Sequence, residues 1–155
     1  MQASTQPPLP SAALAQVALC VCANFRTVSR VITQYYDHVL QPSGLTAAQF
    51  SLLAALAAND TFTIKPLADA LLMDRTTLSR NLKPLESMGL VEITAGEADA
   101  RTKTVRLTKQ GIQTVERVFP LWQEAQKAVL TQFGEQRWEK LLPELADLAQ
   151  LIQGE

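Results

Sequence analysis

The chain is poor in the residues that metal and covalent chemistry require. Among 155 residues there is one histidine, His38, and there are two cysteines, Cys20 and Cys22. A zinc site needs three or four convergent Cys, His or carboxylate ligands, so no metal is expected. Residues two apart on one helix point in diverging directions, so the two cysteines are badly placed to bond each other within a chain. His38 stands sixteen positions after Cys22, about four and a half helical turns. It therefore cannot act as the base for a Cys22 nucleophile along one straight helix. No Gly-rich phosphate loop is present, and no cofactor is expected. The apolar stretches fall far short of the roughly 20 residues that cross a bilayer, and the start lacks the basic and apolar blocks of a secretory signal. No membrane is expected, and a cytoplasmic location is.

What is there reads as one globular domain: 47% hydrophobic and 19% charged residues, with a net charge of −1. That balance excludes a protein that coats nucleic acid non-specifically, but the charges are unevenly placed. Gln110 to Glu155 holds four basic and seven acidic residues, whereas Asp99 to Lys109 holds four basic and one acidic. Arg75 to Lys83 holds three basic residues and no acidic one.

That last stretch lies in a predicted helix from Asp74 to Met88. Leu78, Leu82, Leu85 and Met88 recur at helical steps and form a core stripe, while Arg75, Thr76, Thr77, Ser79, Arg80 and Lys83 cover the rest. Asp74 is placed as N-cap and Gly89 as the stop. Pro84 removes the N–H that would bond the Arg80 carbonyl, so local distortion is expected. Upstream, Thr63 caps a short helix with Pro66 in its first turn. Only Leu72 and Met73 then precede Asp74, which is the spacing of a helix-turn-helix. Downstream, Leu90–Thr94 and Thr102–Leu107 are β-prone runs flanking a turn, a hairpin or wing.

Around this centre, residues 1–10 carry three of the eight prolines and are expected to form a mobile arm. From Ser11, Leu14, Ala18, Val21, Phe25, Val28, Ile32, Tyr35 and Val39 predict one long helix with a narrow apolar seam, ended by Gln41-Pro42-Ser43-Gly44. Thr46 and Gln49 spell a capping box for a helix to about Ala58. Thr108 caps a further helix with a seam of Ile112, Val115, Phe119, Trp122, Val129 and Phe133, bent or interrupted at Pro120. After Gly134 a last amphipathic helix carries Trp138, Leu141, Leu142, Leu145, Leu148 and Ile152, with a bend at Pro143. The terminal helices are too apolar along one stripe for the small central unit to cover, so a homodimer is expected. The fold class is thus mainly α with a small β-hairpin wing. Residues 11–155 form a single domain, with a winged helix-turn-helix over 45–111 and dimerisation helices over 11–41 and 112–153.

The chain resembles the MarR family of winged-helix transcription regulators. The resemblance is carried by Leu45-Thr46-Ala-Ala-Gln49-Phe50, Leu67-Ala68, Asp74-Arg75-Thr-Thr-Leu78-Ser-Arg80, Leu85-Glu86-Ser-Met-Gly89-Leu90-Val91, Asp99-Ala-Arg101 and Leu107-Thr108-Lys-Gln-Gly111. It implies a dimer that places two recognition helices about one DNA turn apart, ~34 Å, on a pseudo-palindromic operator of double-stranded DNA. A repressor is the expected role.

Arg75, Arg80 and Lys83 are expected on phosphates or guanine edges, and Thr76, Thr77 and Ser79 on phosphates, bases or a thymine methyl. Arg101, at the hairpin tip, is the candidate for the minor groove of A·T-rich DNA. By resemblance Asp99 braces it. Ala100 stands where the commoner spelling has a second arginine, a charge that Lys103 can supply.

Cys20 and Cys22 are the only residues that suggest what signal is read. Cys22 borders the seam and shares a face with Arg26, a setting that can favour a thiolate, whereas a buried, inert thiol is the plainer reading. The first helix is similar to that of the organic-hydroperoxide sensors of the family, the OhrR branch. Aligning Ser29-Arg30 puts Cys22 on the sensing cysteine and Tyr36 on one tyrosine that bonds the thiol, while Arg26 and Ala47 occupy two other tyrosine positions. Cys20 would meet an oxidised Cys22 only from another chain. The rival is a non-covalent pocket for an aromatic small-molecule effector lined by Trp122, Phe25 and Tyr36. Two other functions stand beside the regulator: a thiol-dependent enzyme using Cys22, disfavoured for want of a base, and a winged-helix module that binds protein.

Overall fold

A computed structural model describes residues 11–58, 62–95 and 102–154. The helices are α1 (Ser11–Ala18), α2 (Val21–Leu40), α3 (Ala47–Ala57), α4 (Ile64–Ala70), α5 (Arg75–Ser87), α6 (Lys109–Phe133) and α7 (Glu135–Gln153). The strands are β1 (Phe62–Thr63), β2 (Val91–Ala95) and β3 (Lys103–Leu107). The chain divides into two compact units, residues 1–35 and 36–155. No single helix among the described residues is long and apolar enough to cross a membrane.

In the first unit the expected single long helix is two. The ladder lapses at Leu19 and Cys20, whose amides bond Gln16 and Val17 three residues back. The Asn24 side-chain amide donates to the Ala18 carbonyl at 3.0 Å, an acceptor that the break releases, and to the Cys20 carbonyl at 2.9 Å, which also accepts from the Asn24 backbone amide. Periodicity alone could not reveal this, because the apolar spacing carries on across the break.

The second unit is built on caps legible in the sequence. Gly44 takes φ 76 after a 3₁₀ turn over Gln41–Ser43, and the Thr46–Gln49 capping box opens α3 with both reciprocal bonds made. Phe50, Leu52, Leu53 and Leu56 of α3 meet Leu67, Leu78, Leu82, Leu85, Val105 and Val118 in the core. Thr63 sits at the N-cap of α4 but makes no side-chain cap bond. It also lies in β1, which pairs with β3 at Phe62↔Val105 and Thr63↔Thr104. The sheet therefore has three antiparallel strands in the order β1-β3-β2, one more than the expected hairpin.

Between α4 and α5 the corner is as tight as the spacing requires. Leu72 holds φ 52, a left-handed conformation costing a leucine about 1–2 kcal/mol, and the Met73 amide bonds the Ala68 carbonyl at 2.9 Å.

The far end of α5 corrects one expectation. Met88 is not in the core stripe; it is exposed, because the helix stops at Ser87 and Gly89 turns the chain with φ 70. The Gly89 amide bonds the Glu86 carbonyl and the Leu90 amide bonds the Leu85 carbonyl, both at 2.9 Å, a Schellman close that buries Leu90 where Met88 was expected.

Thr108 caps α6 and its hydroxyl donates to the Gly89 carbonyl at 2.6 Å. Gly111 lies so close to this chain reversal that a Cβ there would sit 2.0 Å from the Leu90 carbonyl oxygen. The buried face of α6 is Gly111, Thr114, Val118 and Ala125, one step round from the expected seam, of which Ile112 and Phe119 are exposed. α6 and α7 each run continuously with Pro120 and Pro143 inside them. On α7, Leu142, Leu151 and Ile152 are exposed.

Candidate nucleic-acid interface

The sequence splits α5 into two faces, and the structure orients them. Leu78, Leu82 and Leu85 are 0–1% exposed and fasten the helix to the core. Arg75, Thr76, Ser79, Arg80 and Lys83 all lie exposed on the outside. At the N-terminus the Asp74 carboxylate accepts from the Thr77 amide at 2.8 Å and from the Thr77 hydroxyl at 2.6 Å. Thr77 is half-buried and its hydroxyl is committed to the cap, which sets it apart from Thr76 and Ser79 as a candidate contact. The Thr77 hydroxyl, then the Thr77 amide, then more weakly the Thr76 amide and the Arg80 charge, hold the Asp74 carboxyl below the usual aspartate range. Asp74 thus compensates the positive end of the helix while leaving the cations along its length outward.

On the wing, Lys103 opens β3 and is exposed, opposite Ala95. Thr94 and Thr104 share a hydroxyl hydrogen bond at 2.8 Å across the hairpin. Arg106, counted among the basic residues of this stretch, is paired with Glu92: the closest N···O distance is 2.7 Å, and its Nε donates at 2.9 Å. The two are direct cross-strand partners, a register that the sequence did not specify until both strand ends were known. Asp99 and Arg101, the expected brace and minor-groove contact, lie outside the described residues, as does the arm over residues 1–10.

Of the expected sensor residues, Cys20 and Cys22 are both free and exposed on the single chain. Cys20 falls in the break between α1 and α2 and is not helical, so the argument that two helical positions diverge does not apply to this pair. Cys22 is the second residue of α2. Tyr36 stands fourteen residues further along that helix, about 21 Å of rise, so the two cannot meet within one chain. Its hydroxyl instead donates to Gln126 Oε1 on α6. Trp122 stacks on Phe119 with ring centroids 5.6 Å apart and lies 6.4 Å from Phe50, so it serves core packing. Phe25 lines an open surface depression with Arg26, Ser29 and Arg30. No cluster of three or more metal-ligating side chains occurs among the described residues.

Comparison with known proteins gives a consistent set of regulators. The MarR family profile matches residues 43–102. The organic hydroperoxide resistance transcriptional regulator of Bacillus subtilis is 31% identical over 91 residues, which is 59% of this chain and 62% of that protein. The match thus spans less than two thirds of that relative. The transcriptional regulator MOSR of M. tuberculosis, solved in complex with DNA, is 37% identical with a TM-score of 0.80, over 87% of this chain and 97% of that one. A mutant MarR from E. coli complexed with operator DNA is 25% identical with a TM-score of 0.75, over 83% and 92% of the two chains. These relatives are named as transcriptional regulators, in keeping with the expectation that the chain is not an enzyme.

Proposed function

Because the chain belongs to the MarR family, we propose that it is a sequence-specific regulator that binds double-stranded DNA as a dimer and represses transcription from a pseudo-palindromic operator. The observation that carries the reading is the outer face of α5: Arg75, Arg80 and Lys83 are exposed on a helix whose opposite leucines are fully buried. A rigidly seated helix that projects cations and hydroxyls is what major-groove entry requires. Arg80 and Arg75 can each grip a guanine edge or a phosphate by two N–H groups, and Lys83 acts as a point charge on the backbone. In the same proposal Arg101, braced by Asp99 and aided by Lys103, enters the minor groove from the wing. Arg106 stays with Glu92.

The dimer rests on apolar surface. Val21, Phe25, Val28, Ile32 and Tyr35 form one exposed stripe on the part of α2 within residues 1–35. On α6 and α7, Ile112, Phe119, Leu141, Leu142, Leu151 and Ile152 are exposed as well. Surface of this kind on the terminal helices supports the assignment of 11–41 and 112–153 to dimerisation, around a winged helix-turn-helix over 45–111 in one domain. A cytoplasmic protein fits this function.

Release from DNA is proposed to follow oxidation of Cys22 by an organic hydroperoxide, with binding of an aromatic effector as the alternative. Tyr36 could assist only from a second chain. The experiment is a gel shift at fixed salt with duplex DNA from immediately upstream of the chain's own gene and a scrambled duplex. Retention of the first alone supports the reading. Retention of neither duplex favours the protein-interaction alternative.

A further inference from the structure

We propose that Asp37 is a positioning residue for DNA recognition: its carboxylate ties α2 to the first amide of α3 and so fixes the spacing of the two recognition helices, an inference that rests on the dimeric DNA-binding reading above. Asp37 is half-buried near the C-terminal end of α2. Its Oδ1 accepts from the Ala47 amide at 2.6 Å. Ala47 is the first residue of α3, so a carboxylate of one helix sits at the positive end of another.

α3 does not need this bond in order to form. The Thr46–Gln49 capping box is complete and closes the start of the helix with local residues. The bond from Asp37 comes from another helix, ten residues back, and what it adds is direction. The neighbouring Tyr36 donates its hydroxyl to Gln126 Oε1 on α6. Consecutive helical residues point about 100° apart, so the two bonds grip the end of α2 from two sides. One bond alone would act as a hinge; the pair holds both the tilt and the roll of the helix.

The joint stands between the surface that the dimer uses and the surface that the DNA uses. Before it, α2 carries the exposed apolar stripe from Val21 to Tyr35. After it, α3 packs Phe50, Leu53 and Leu56 into the core that seats Leu78, Leu82 and Leu85 of α5. A close-packed core transmits displacement instead of absorbing it. A change in the angle between α2 and α3 therefore carries α5 with it, and two-fold symmetry repeats the change on the other protomer. Asp37 acts through α3, since its own charge has the sign of a phosphate.

The test uses the full chain and the upstream duplex, compared with a duplex lengthened by one base pair at the centre of the segment that the protein protects. One added base pair moves a half-site about 3.4 Å along the duplex and about a tenth of a turn around it. Wild type should bind the lengthened duplex about tenfold more weakly, the cost of one mismatched base pair. Asp37→Ala should stay dimeric by light scattering and lose most of that preference, with an unchanged salt slope because no phosphate contact is removed. Asp37→Asn keeps an oxygen that can accept from Ala47, and it should keep the wild-type preference. Tyr36→Phe, which removes the hydroxyl and keeps the ring, should also weaken the preference, and it serves as the test if Asp37→Ala does not fold. A folded Asp37→Ala with the wild-type preference, even one with a lower melting temperature, would overturn this proposal alone, as would Tyr36→Phe with that preference where Asp37→Ala is unfolded. A wild type indifferent to the added base pair removes the dimeric reading and this proposal together.

Discussion

Asp74 and Thr77 are joined twice across the first turn of α5, the carboxylate accepting from the amide at 2.8 Å and from the hydroxyl at 2.6 Å. One side chain therefore both starts the helix and fixes its first exposed turn. The Asp74 carboxyl titrates below the usual range because its charged form is the one that accepts these bonds. A depressed folded-state pKa contributes stability that is present above the unfolded value and lost as pH falls through the folded one. Asp74→Asn should keep most of the neutral-pH melting temperature, as asparagine is also a good N-cap. Between neutral pH and about pH 3, thermal melts should show a smaller fall for Asp74→Asn than for wild type; an equal fall would detach the cap from the pH dependence.

Gly111→Ala places a methyl group 2.0 Å from the Leu90 carbonyl oxygen, which is backbone and cannot swing aside. The start of α6 would have to shift off the Gly89–Leu90 reversal that Thr108 ties down. We expect a loss of about 1–3 kcal/mol, the range for overpacking a fitted site, read as a lower urea midpoint. An unchanged midpoint would show that this junction is looser than described.

Much of this was legible in the sequence, and the exceptions have local causes. Caps were readable because they need particular residues at particular offsets: Thr46 with Gln49, Asp74 and Thr108 all cap the helices they announce. Spacing placed the α4–α5 corner, yet could not reveal that Leu72 is left-handed. Periodicity misled where helices end or break. Met88 keeps step with Leu85 but lies past the last helical residue, and Leu19–Cys20 interrupts a seam whose spacing continues. On α6, Val115 and Trp122 of the predicted seam pack against the core, but Ile112 and Phe119 of that seam are exposed, and Val118 and Ala125 are buried in their place. Which cations stay free depended on strand register, so the loss of Arg106 to Glu92 was not visible.

Val28 is 55% exposed in the middle of the apolar stripe of α2. Val28→Asp would force a charge into any interface formed there, at a cost of several kcal/mol, while leaving an exposed position of the single chain unstrained. Light scattering after size exclusion at micromolar concentration should read a dimer for wild type and a monomer for the variant. A wild-type monomer would contradict the dimer assignment, and a dimeric variant would place the interface elsewhere.

Titrating the protein–DNA complex with cumene hydroperoxide should release wild type and Cys20→Ser but not Cys22→Ser, because sulfenic acid formation requires the accessible thiol. A thiol reductant should restore binding unless oxidation has passed to the sulfinic stage. Equal release from wild type and Cys22→Ser would remove the thiol mechanism and leave the aromatic effector as the better account.

The central claim is that the outer face of α5 is the DNA-reading surface, and a salt series tests it most directly. Binding of the upstream duplex, followed by fluorescence anisotropy, should weaken linearly in log–log form as salt rises. Replacing Arg75, Arg80 and Lys83 together by alanine should lower affinity and reduce the magnitude of that slope by about one for each phosphate contact removed, while circular dichroism shows an unchanged helical fold. A triple variant with wild-type affinity and wild-type slope would contradict the claim.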